Sequence, residues 1–518
     1  MSQERELKFR LDPALHDAVR AHPILLTLAP APQQQTLQSW YFDTPTHTLR
    51  QAGMALRVRH TADGRRILTL KSSPAQGLQF SRGEWEFDID TDAPDAAALQ
   101  RLRDTPLDAL IDAGALAPGL RAVLGTQMQR TVWHVDWQGT RLEVCLDAGL
   151  ALGGPEPDAP SLPISELEIE LIDGHWPHAF DLAWALAQDL PLLLSPVNKM
   201  QLAAQAAELS TLQLPPLARE LAPLDSGGQA VAAALQQSAA LMAVGAQLLQ
   251  TDPQSDTVHQ MRVQLRRLRV LLQLLQTTGP ASQRSACRWL RGEWRWAGQL
   301  LGMVRDVDVC LEHAKVLRPD PAACAPISRD LQHKRDAHLD ALLGYLRSAR
   351  FGRVLLAQAR WAQCWSSGQV IAPDLSTERL AARLLRFERR DSQLQPRRWA
   401  ELLAIWDGQS AAPLDAPWDA LHTLRLRAKR LRYTLEWLAP WADQVLGKQG
   451  RAWLRLATGL QNDLGNALDT LRLARWMGET AAATDLDAAT QSAAGVQQAF
   501  DQVRSSLQHA LQTARHGR

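Results

Sequence analysis

Charged side chains of both signs alternate with apolar ones in the segment 4–11. Successive side chains of a strand point to opposite faces, so the segment would separate two sets of residues. One face would carry Glu4, Glu6, Lys8 and Arg10, and the other Leu7, Phe9 and Leu11. Carboxylates bind hard cations such as Mg²⁺, which also bind phosphate oxygens, while Arg and Lys hold further phosphate oxygens. A face with both kinds of group therefore suits a polyanion that a divalent metal ion bridges to the protein.

Five more segments repeat this separation of charged from apolar residues. They are 56–59, 68–71, 82–87, 141–147 and 166–171. A plain surface sheet would also alternate polar with apolar residues, but these polar faces are almost wholly charged and contain little Ser, Thr or Asn. We therefore predict a sheet that closes into a barrel and turns its charged face inward.

Six motifs in this region resemble those of the CYTH family and follow the family's order over residues 1–205. The motifs are Glu4-x-Glu6-x-Lys8, Tyr41-Phe42-Asp43-Thr44, Leu56-Arg57-Val58-Arg59, Thr69-x-Lys71, Arg82-x-Glu84-x-Glu86 and Glu166-x-Glu168-x-Glu170. The family groups class IV adenylate cyclases, thiamine triphosphatases and inorganic triphosphatases. The resemblance implies an eight-stranded antiparallel β-barrel, the triphosphate tunnel, and metal-dependent attack on a triphosphate.

The resemblance and the charge pattern together predict the roles of individual residues. Those expected to hold phosphate oxygens are Arg57, Arg59, Lys71, Arg82, Arg130 and Lys199. Those expected to place a Mg²⁺ or Mn²⁺ ion on the phosphates are Glu166, Glu168 and Glu170. Glu4, Glu6 and Asp147 are expected to hold a second ion or to position the attacking water. The predicted catalytic set is Glu4, Glu6, Lys8 and Lys71.

Length and charge indicate that the chain has a second, different part. At 518 residues it is too long for one ordinary domain, and two or three are expected. Residues 1–210 contain 17 Lys and Arg against 27 Asp and Glu, a balance of −10. The remainder contains 39 against 28, a balance of +11. Opposite charges in the two parts predict two functions.

The predicted fold class is a multidomain α+β protein. Its parts are the barrel domain 1–210, a linker 211–228 with Pro and Gly at its ends, and an all-α domain 229–515. Within the barrel domain, helices are predicted over 13–29 and 94–126, and Gln138-Gly139 is predicted to join two strands. Beyond the linker, Ala, Leu, Gln and Arg recur at helical period and no strand is predicted.

An internal repeat divides the helical domain. His259, Arg262 and Arg266 correspond to His422, Arg425 and Lys429, each pair at an offset of 163 residues. Agreement without a gap predicts a duplicated helical bundle, over about 229–370 and 376–515. The second copy departs from the first where Leu468 and Leu471 replace Arg305 and Asp308.

Each repeat opens with basic residues that would share one helix face and include no acid. A solvated face would usually intersperse acids, so we favour an anion-binding surface. These elements resemble the CHAD family, helical domains associated with polyphosphate, over about 229–510. The resemblance implies that long-chain polyphosphate binds the following residues: His259, Arg262, Arg266, Arg269, Arg288, His422, Arg425, Lys429, Arg432 and Arg451.

The expected function is metal-dependent hydrolysis of inorganic triphosphate to diphosphate and phosphate. Alternatives are a CYTH-type enzyme acting on an organic triphosphate, namely a thiamine triphosphatase or class IV adenylate cyclase, and a non-catalytic polyphosphate-binding protein. Nucleic acid is a less favoured partner of the basic bundle. The sequence has no apolar signal region and no run of about 18 apolar residues, and its five cysteines are scattered. These features predict a cytoplasmic protein without a membrane partner. Polyphosphate granules are an expected site of association.

Overall fold

The computed structural model describes most of the chain. The described residues are 2–72, 80–117, 119–276, 281–317, 321–370, 375–391, 400–401, 403–404, 406–407, 418–441, 449–480 and 486–516. They form two compact units. The first combines 1–217 with 235–264 and 296–362, and the second combines 218–234 with 265–295 and 363–518.

The first unit contains a closed antiparallel barrel of eight strands, as predicted. The strands are β1 (Ser2–Arg10), β2 (Gln33–Asp43), β3 (Met54–His60), β4 (Arg66–Ser72), β5 (Ser81–Ile89), β6 (Arg121–Trp137), β7 (Thr140–Leu152) and β8 (Ser161–Asp173). Their order is β5-β4-β3-β2-β6-β7-β8-β1, and pairing of β5 with β1 closes the sheet. A two-residue strand, β9 (Leu193–Leu194), pairs with Phe9 and Arg10 of β1 on the edge opposite β8.

Apolar side chains cover the outside of this barrel and short helices pack on them. Leu7 and Phe9 of β1 are fully buried, as are Val58 and Leu68 on neighbouring strands. The helices of this part are α1 (His16–Arg20), α2 (Pro23–Leu28), α3 (Thr48–Gln51), α4 (Ala96–Arg101), α5 (Asp108–Asp112), α6 (Trp176–Leu186) and α7 (Lys199–Ala206). Because the apolar face is outside, the charged residues of the other seven strands turn inward, whereas β2 contributes Tyr41 to the lumen.

Two helix predictions in the barrel domain are wrong. The single helix predicted over 13–29 is a 3₁₀ turn followed by two short helices, since Pro23 begins a new helix. The helix predicted over 94–126 consists of α4 and α5 only, because β6 already begins at Arg121. Gln138 and Gly139 do join β6 to β7, with φ of 55° and 76°, as a tight hairpin requires.

From Gly227 onward the described chain is mainly helical, as predicted. Its helices are α8 (Gly227–Thr251), α9 (Ser255–Leu275), α10 (Ala281–Leu317), α11 (Pro321–Leu346), α12 (Ala349–Ser366), α13 (Thr377–Asp391), α14 (Trp418–Trp437), α15 (Gln449–Thr480) and α16 (Leu486–His516). Helices α9 and α14 contain the corresponding residues Arg262 and Arg425, and α10 and α15 contain Gly302 and Gly465, each pair at the offset of the sequence repeat.

Among the described residues, α8 alone is long and apolar enough to cross a membrane by length and composition. However, 72% of its most apolar window is buried, as in the core helix of a bundle, so the helix is weak evidence for a membrane span. The four cysteines that the structure describes are free thiols.

Candidate active site in the barrel lumen

The barrel lumen belongs to a cavity of about 820 Å³, and fifteen charged residues contribute to its lining. Cations and carboxylates alternate around it because the strand register places them opposite one another. Lys8 of β1 pairs with Glu168 of β8, and Lys71 of β4 pairs with Glu84 of β5. The lining includes Glu4, Glu6, Lys8, Arg57, Arg59, Lys71, Arg82, Arg130, Glu168, Glu170 and Lys199. The register therefore brings residues from β1, β3, β4, β5, β6, β8 and α7 into one lumen.

One cluster joins three carboxylates to Lys199. Oxygens of Asp147, Glu166 and Glu168 lie within 4.8 Å of one another and could hold a metal ion. Lys199 Nζ lies 2.8, 2.9 and 2.7 Å from them, respectively. Helix α7 places this lysine at its first position, and a capping box between Asn198 and Gln201 fixes the start of that helix.

Arg130 closes the same cluster from β6. Its Nε and Nη2 atoms each donate to Asp147 at 2.7 Å, and Nη2 also donates to Glu168 at 2.8 Å. Burial alone would raise the pKa of Glu168, but the charges of Lys199 and Lys8 outweigh it and hold the pKa well below its ordinary value. Glu168 therefore stays ionised at neutral pH.

A second cluster surrounds Glu4 at the start of β1. Lys71 Nζ donates to both Glu4 oxygens at 2.9 Å, and Arg82 Nε donates to one of them at 2.7 Å. Arg82 also donates to Glu6, and Lys71 lies 3.0 Å from Glu84. Burial opposes the charged form of Glu4, but Lys71 and Arg82 outweigh it and depress its pKa. Both oxygens of Glu4 are thus engaged in holding two cations.

Arg57 and Arg59 of β3 lack such partners. No carboxylate oxygen of the described residues lies within 4.0 Å of either guanidinium, and the Nε atom of each is buried without a hydrogen bond. Burial, together with the nearby charges of Arg57 and Arg130, lowers the pKa of Arg59 to about 10. Two adjacent buried cations without a paired anion are costly, and an anionic ligand would remove that cost.

Glu170 is the reverse case, a carboxylate without a cation. In the described part of the chain its carboxylate makes no hydrogen bond and no ion pair within 4.0 Å. Burial is the main cause that raises its pKa to about 8, and the carboxylates of Glu4 and Glu6 raise it further. Oxygen ligands with an excess of negative charge fit a hard divalent cation such as Mg²⁺ or Mn²⁺. The residues around Glu170 therefore suit the metal ion that the charge pattern predicts.

The lumen also contains residues to which the sequence reasoning assigned no role. Glu84, Glu86, Glu143 and Thr69 line the same cavity, and Thr69 donates to Glu86 at 2.9 Å. The alternation of Arg82, Glu84 and Glu86 placed these acids on the charged face of β5 and was the signal that could have identified them.

The predicted polyphosphate-binding residues lie on long helices of the other region. His259, Arg262, Arg266 and Arg269 are on α9, and Arg288 is on α10. Arg425, Lys429 and Arg432 are on α14. The side chains of His422 on α14 and Arg451 on α15 lie outside the described residues.

Acids from neighbouring turns and helices balance part of this basic surface, although the stripes themselves contain none. Arg262 lies 3.4 Å from Asp306. It also packs closely on Gly302, because a Cβ atom added to Gly302 would lie 2.2 Å from Arg262 Nη1. Arg432 donates to Glu436 at 2.6 Å. Arg295 and Arg291 bring further positive charge near Arg269, and burial together with these two charges lowers the pKa of Arg269.

Comparisons with known proteins match two separate parts of the chain. Residues 2–203 match the CYTH domain, and residues 231–477 match the CHAD domain. Over 202 residues the chain is 30% identical to the inorganic triphosphatase of Haemophilus influenzae (strain ATCC 51907 / DSM 11121 / KW20 / Rd). The alignment covers 38% of this chain and 53% of that protein, so the chain spans about half the length of the curated relative it matches.

Two solved structures are similar to parts of the chain. One is a Hippeastrum protein described as revealing a dominant triphosphatase activity, at 20% identity and a TM-score of 0.28, covering 39% of this chain and 95% of that one. The other is the CHAD domain from the plant Ricinus communis, at 22% identity and a TM-score of 0.37, covering 58% of this chain and 96% of that one.

Proposed function

From the CYTH domain at residues 2–203 and the CHAD domain at residues 231–477 that this chain carries, we propose that it hydrolyses inorganic triphosphate to diphosphate and phosphate. The barrel lumen is the proposed active site, with Mg²⁺ or Mn²⁺ as the cofactor. The helical region is proposed to bind long-chain polyphosphate.

The observation that carries this proposal is the unpaired state of Arg57 and Arg59. All other predicted phosphate-binding cations of the lumen contact carboxylates, whereas these two guanidinium groups have no carboxylate of the described residues within 4.0 Å. Guanidinium groups bind phosphate oxygens in pairs of parallel hydrogen bonds. A linear triphosphate would supply the missing anion at both.

The metal ion would be held by Glu170 and nearby carboxylates. Glu6 and Glu143 are the cross-strand neighbours of Glu170. When bound, such an ion stabilises the negative charge that develops on the transferred phosphoryl group. Glu170 supplies the ligand atom that no cation of the described chain occupies. Glu168 would add a second oxygen from the same strand face, since its carboxylate stays ionised.

The remaining lumen residues orient the substrate. Glu4 holds Lys71 and Arg82 in place by three hydrogen bonds, so these two cations face the phosphates in fixed positions. Fixed positive charge at a phosphoryl centre is the largest expected contribution of the protein to phosphoryl transfer. Lys8, Lys71 and Arg57 would thus share the phosphate oxygens of the chain.

The lining favours an inorganic substrate over a nucleotide or thiamine triphosphate. Tyr41 and Phe80 are the aromatic residues among the described lining residues. The lining also includes fifteen charged residues, together with uncharged polar residues and apolar ones such as Met54, Ile172 and Val244. Pockets that bind an organic ring usually provide apolar and aromatic surface around it. A chain of phosphates needs none, because its whole length is charged.

For the helical region, the charge concentration around Arg269 supports polyphosphate as the partner. Burial and the charges of Arg295 and Arg291 lower the pKa of Arg269, and burial and the charge of Arg430 lower the pKa of Arg291. A polyanion would be attracted to several such cations at once.

The test is phosphate release by the full chain from inorganic triphosphate, ATP, thiamine triphosphate and long-chain polyphosphate, each with Mg²⁺ and with EDTA. The proposal expects the highest kcat/KM for inorganic triphosphate and none of that activity in EDTA. A preference for ATP or thiamine triphosphate would move the assignment to an organic triphosphate. Binding of polyphosphate without hydrolysis of any substrate would favour the non-catalytic alternative.

A further inference from the structure

Helix α12, which lies within the region that matches the CHAD domain, contacts the barrel in the first compact unit. The contact is made on the segment 187–194 between α6 and β9. A Cβ atom on Gly352 would lie 2.1 Å from the carbonyl oxygen of Leu192. The helix backbone thus touches the backbone of the barrel segment, and no side chain larger than hydrogen fits between them.

Two arginines of α12 extend this contact along α6. Arg353 Nη1 donates to the carbonyl oxygens of Ala187 and Gln188, at 3.5 and 3.3 Å, just beyond the last residue of α6. The last carbonyl groups of a helix lack partners within the helix, and a cation there also complements its dipole. Arg360 Nη2 lies 2.6 Å from Asp181 Oδ1 within α6. Helix α12 therefore holds both the body and the end of α6.

The segment that α12 holds leads directly to lumen residues. Leu193 and Leu194 pair with Arg10 and Phe9 of β1. The amide of Ser195 donates to the carbonyl oxygen of Lys8 at 2.9 Å. Four residues later the chain reaches Lys199, which contacts Asp147, Glu166 and Glu168. A displacement of this segment would move the backbone of Lys8 and the start of α7 together.

We infer that Gly352 and Arg353 are positioning residues for the barrel lumen, and that the helical region acts through them to hold Lys8 and Lys199 in place. The expected effect on KM rests on the proposed function, because it requires hydrolysis of inorganic triphosphate in the lumen. Neither residue touches the lumen, so their effect passes through the segment 187–195. Because Lys8 and Lys199 carry charge that faces the phosphates, a shift of both should weaken substrate binding before it affects the chemical step.

Glycine variants provide the most direct test in the full chain. Gly352→Ala would force apart the two backbones, and Gly344→Ala on α11 is the matched control, because nothing lies within 4 Å of its added Cβ. Alanine is favoured over glycine in a helix interior, so neither change is unfavourable for the helix itself. We expect KM for inorganic triphosphate to rise about 10-fold in Gly352→Ala. This effect is smaller than the roughly 100-fold loss of rate that a 1 Å misplacement of reacting groups can cause. The control should match the wild type.

Arginine variants address the case in which Gly352→Ala fails to fold. Arg353→Gln removes the cation from the end of α6, and Arg353→Lys restores a donor that can reach the same carbonyl groups. We expect a rise in KM in the first and rescue in the second, while kcat changes less than KM. Arg347→Gln is the control, since the exposed side chain of this arginine makes no ion pair or hydrogen bond among the described residues.

A second readout does not depend on catalysis. Amide hydrogen exchange should be faster at Ser195 in Arg353→Gln than in the wild type, because the hydrogen bond to Lys8 opens more often. Unchanged KM and unchanged exchange at Ser195 in both Gly352→Ala and Arg353→Gln would overturn the inference. If the wild type hydrolyses no triphosphate, the proposed function fails, and the exchange measurement alone then decides whether α12 positions the segment.

Discussion

Lys199 Nζ lies 2.7 Å from Glu168 Oε1, so a residue predicted to hold phosphate and a residue predicted to hold metal bind each other. Two further carboxylates share the same ammonium group. The lumen charges thus compensate one another in the protein itself, and binding of a metal–triphosphate complex would exchange these internal ion pairs for pairs with the ligand. This exchange determines how substitutions should affect activity and stability.

Replacement of Glu168 by glutamine should reduce turnover of inorganic triphosphate on the order of 100-fold, a loss comparable with that of other electrostatic groups at a reacting centre. The change removes one charged ligand and keeps the strand pattern. Asp147 and Glu166 still neutralise Lys199, so circular dichroism should show a folded barrel. Glu156→Gln, in an exposed loop, is the control. Full turnover in Glu168→Gln would contradict the assigned role.

Replacement of Arg57 by glutamine should change activity and stability in opposite directions. The variant loses a phosphate-binding group, so KM should rise. It also removes one of two adjacent cations that have no carboxylate within ion-pairing distance among the described residues. The melting temperature should therefore increase, by about 2–4 °C if the gain is about 1 kcal/mol. Calorimetry and initial rates on the same sample test both effects, and a lower melting temperature would argue against uncompensated charge.

Metal affinity should increase with pH up to about pH 8. The pKa of Glu170 is raised to about 8, so its carboxyl is still mostly protonated at pH 7 and must lose that proton to bind a cation. Below pH 8, affinity should gain up to about 10-fold per pH unit if one proton is released per ion. Calorimetric titration with Mg²⁺ between pH 6 and 9 measures this slope. Glu170→Gln should flatten it, whereas an equally flat profile in the wild type would exclude this carboxyl as a ligand.

The helical region should bind long-chain polyphosphate with a steep dependence on salt. Each contact between a cation and a phosphate is screened as ionic strength rises. Replacement of Arg262, Arg266, Arg425 and Lys429 by glutamine in the full chain should weaken binding and reduce the salt slope. A Glu168→Gln background prevents hydrolysis during the measurement. Unchanged binding in the fourfold variant would make these residues structural, and equal affinity for single-stranded DNA at matched charge would remove the case for polyphosphate.

The barrel could be predicted from the alternation along β1, β3 and β8, because a period of two with charges on one face is hard to satisfy in any other element. The start of β6 could not be predicted from the sequence pattern. Ala122, Val123 and Leu124 suit a helix as well as a strand, and pairing of Leu124 with Tyr41 of β2 decides between them. Propensity gives way to tertiary pairing at such positions.

The individual roles in the lumen were less accessible to sequence reasoning than its overall charge. The contact of Lys8 with Glu168 depends on the register between β1 and β8, and that of Lys199 depends on where α7 begins. Neither relation is local in sequence. For the same reason, nothing in the sequence around Gly352 indicated that α12 contacts Leu192.

The most direct test of this account is the rate of hydrolysis of inorganic triphosphate by the full chain, measured first with Mg²⁺, then in EDTA, and again after Mg²⁺ is restored. The account predicts release of diphosphate and phosphate in equal amounts with Mg²⁺, no turnover in EDTA and full recovery on restoring the ion. Hydrolysis that continues unchanged in EDTA, or no hydrolysis under any of the three conditions, would contradict it.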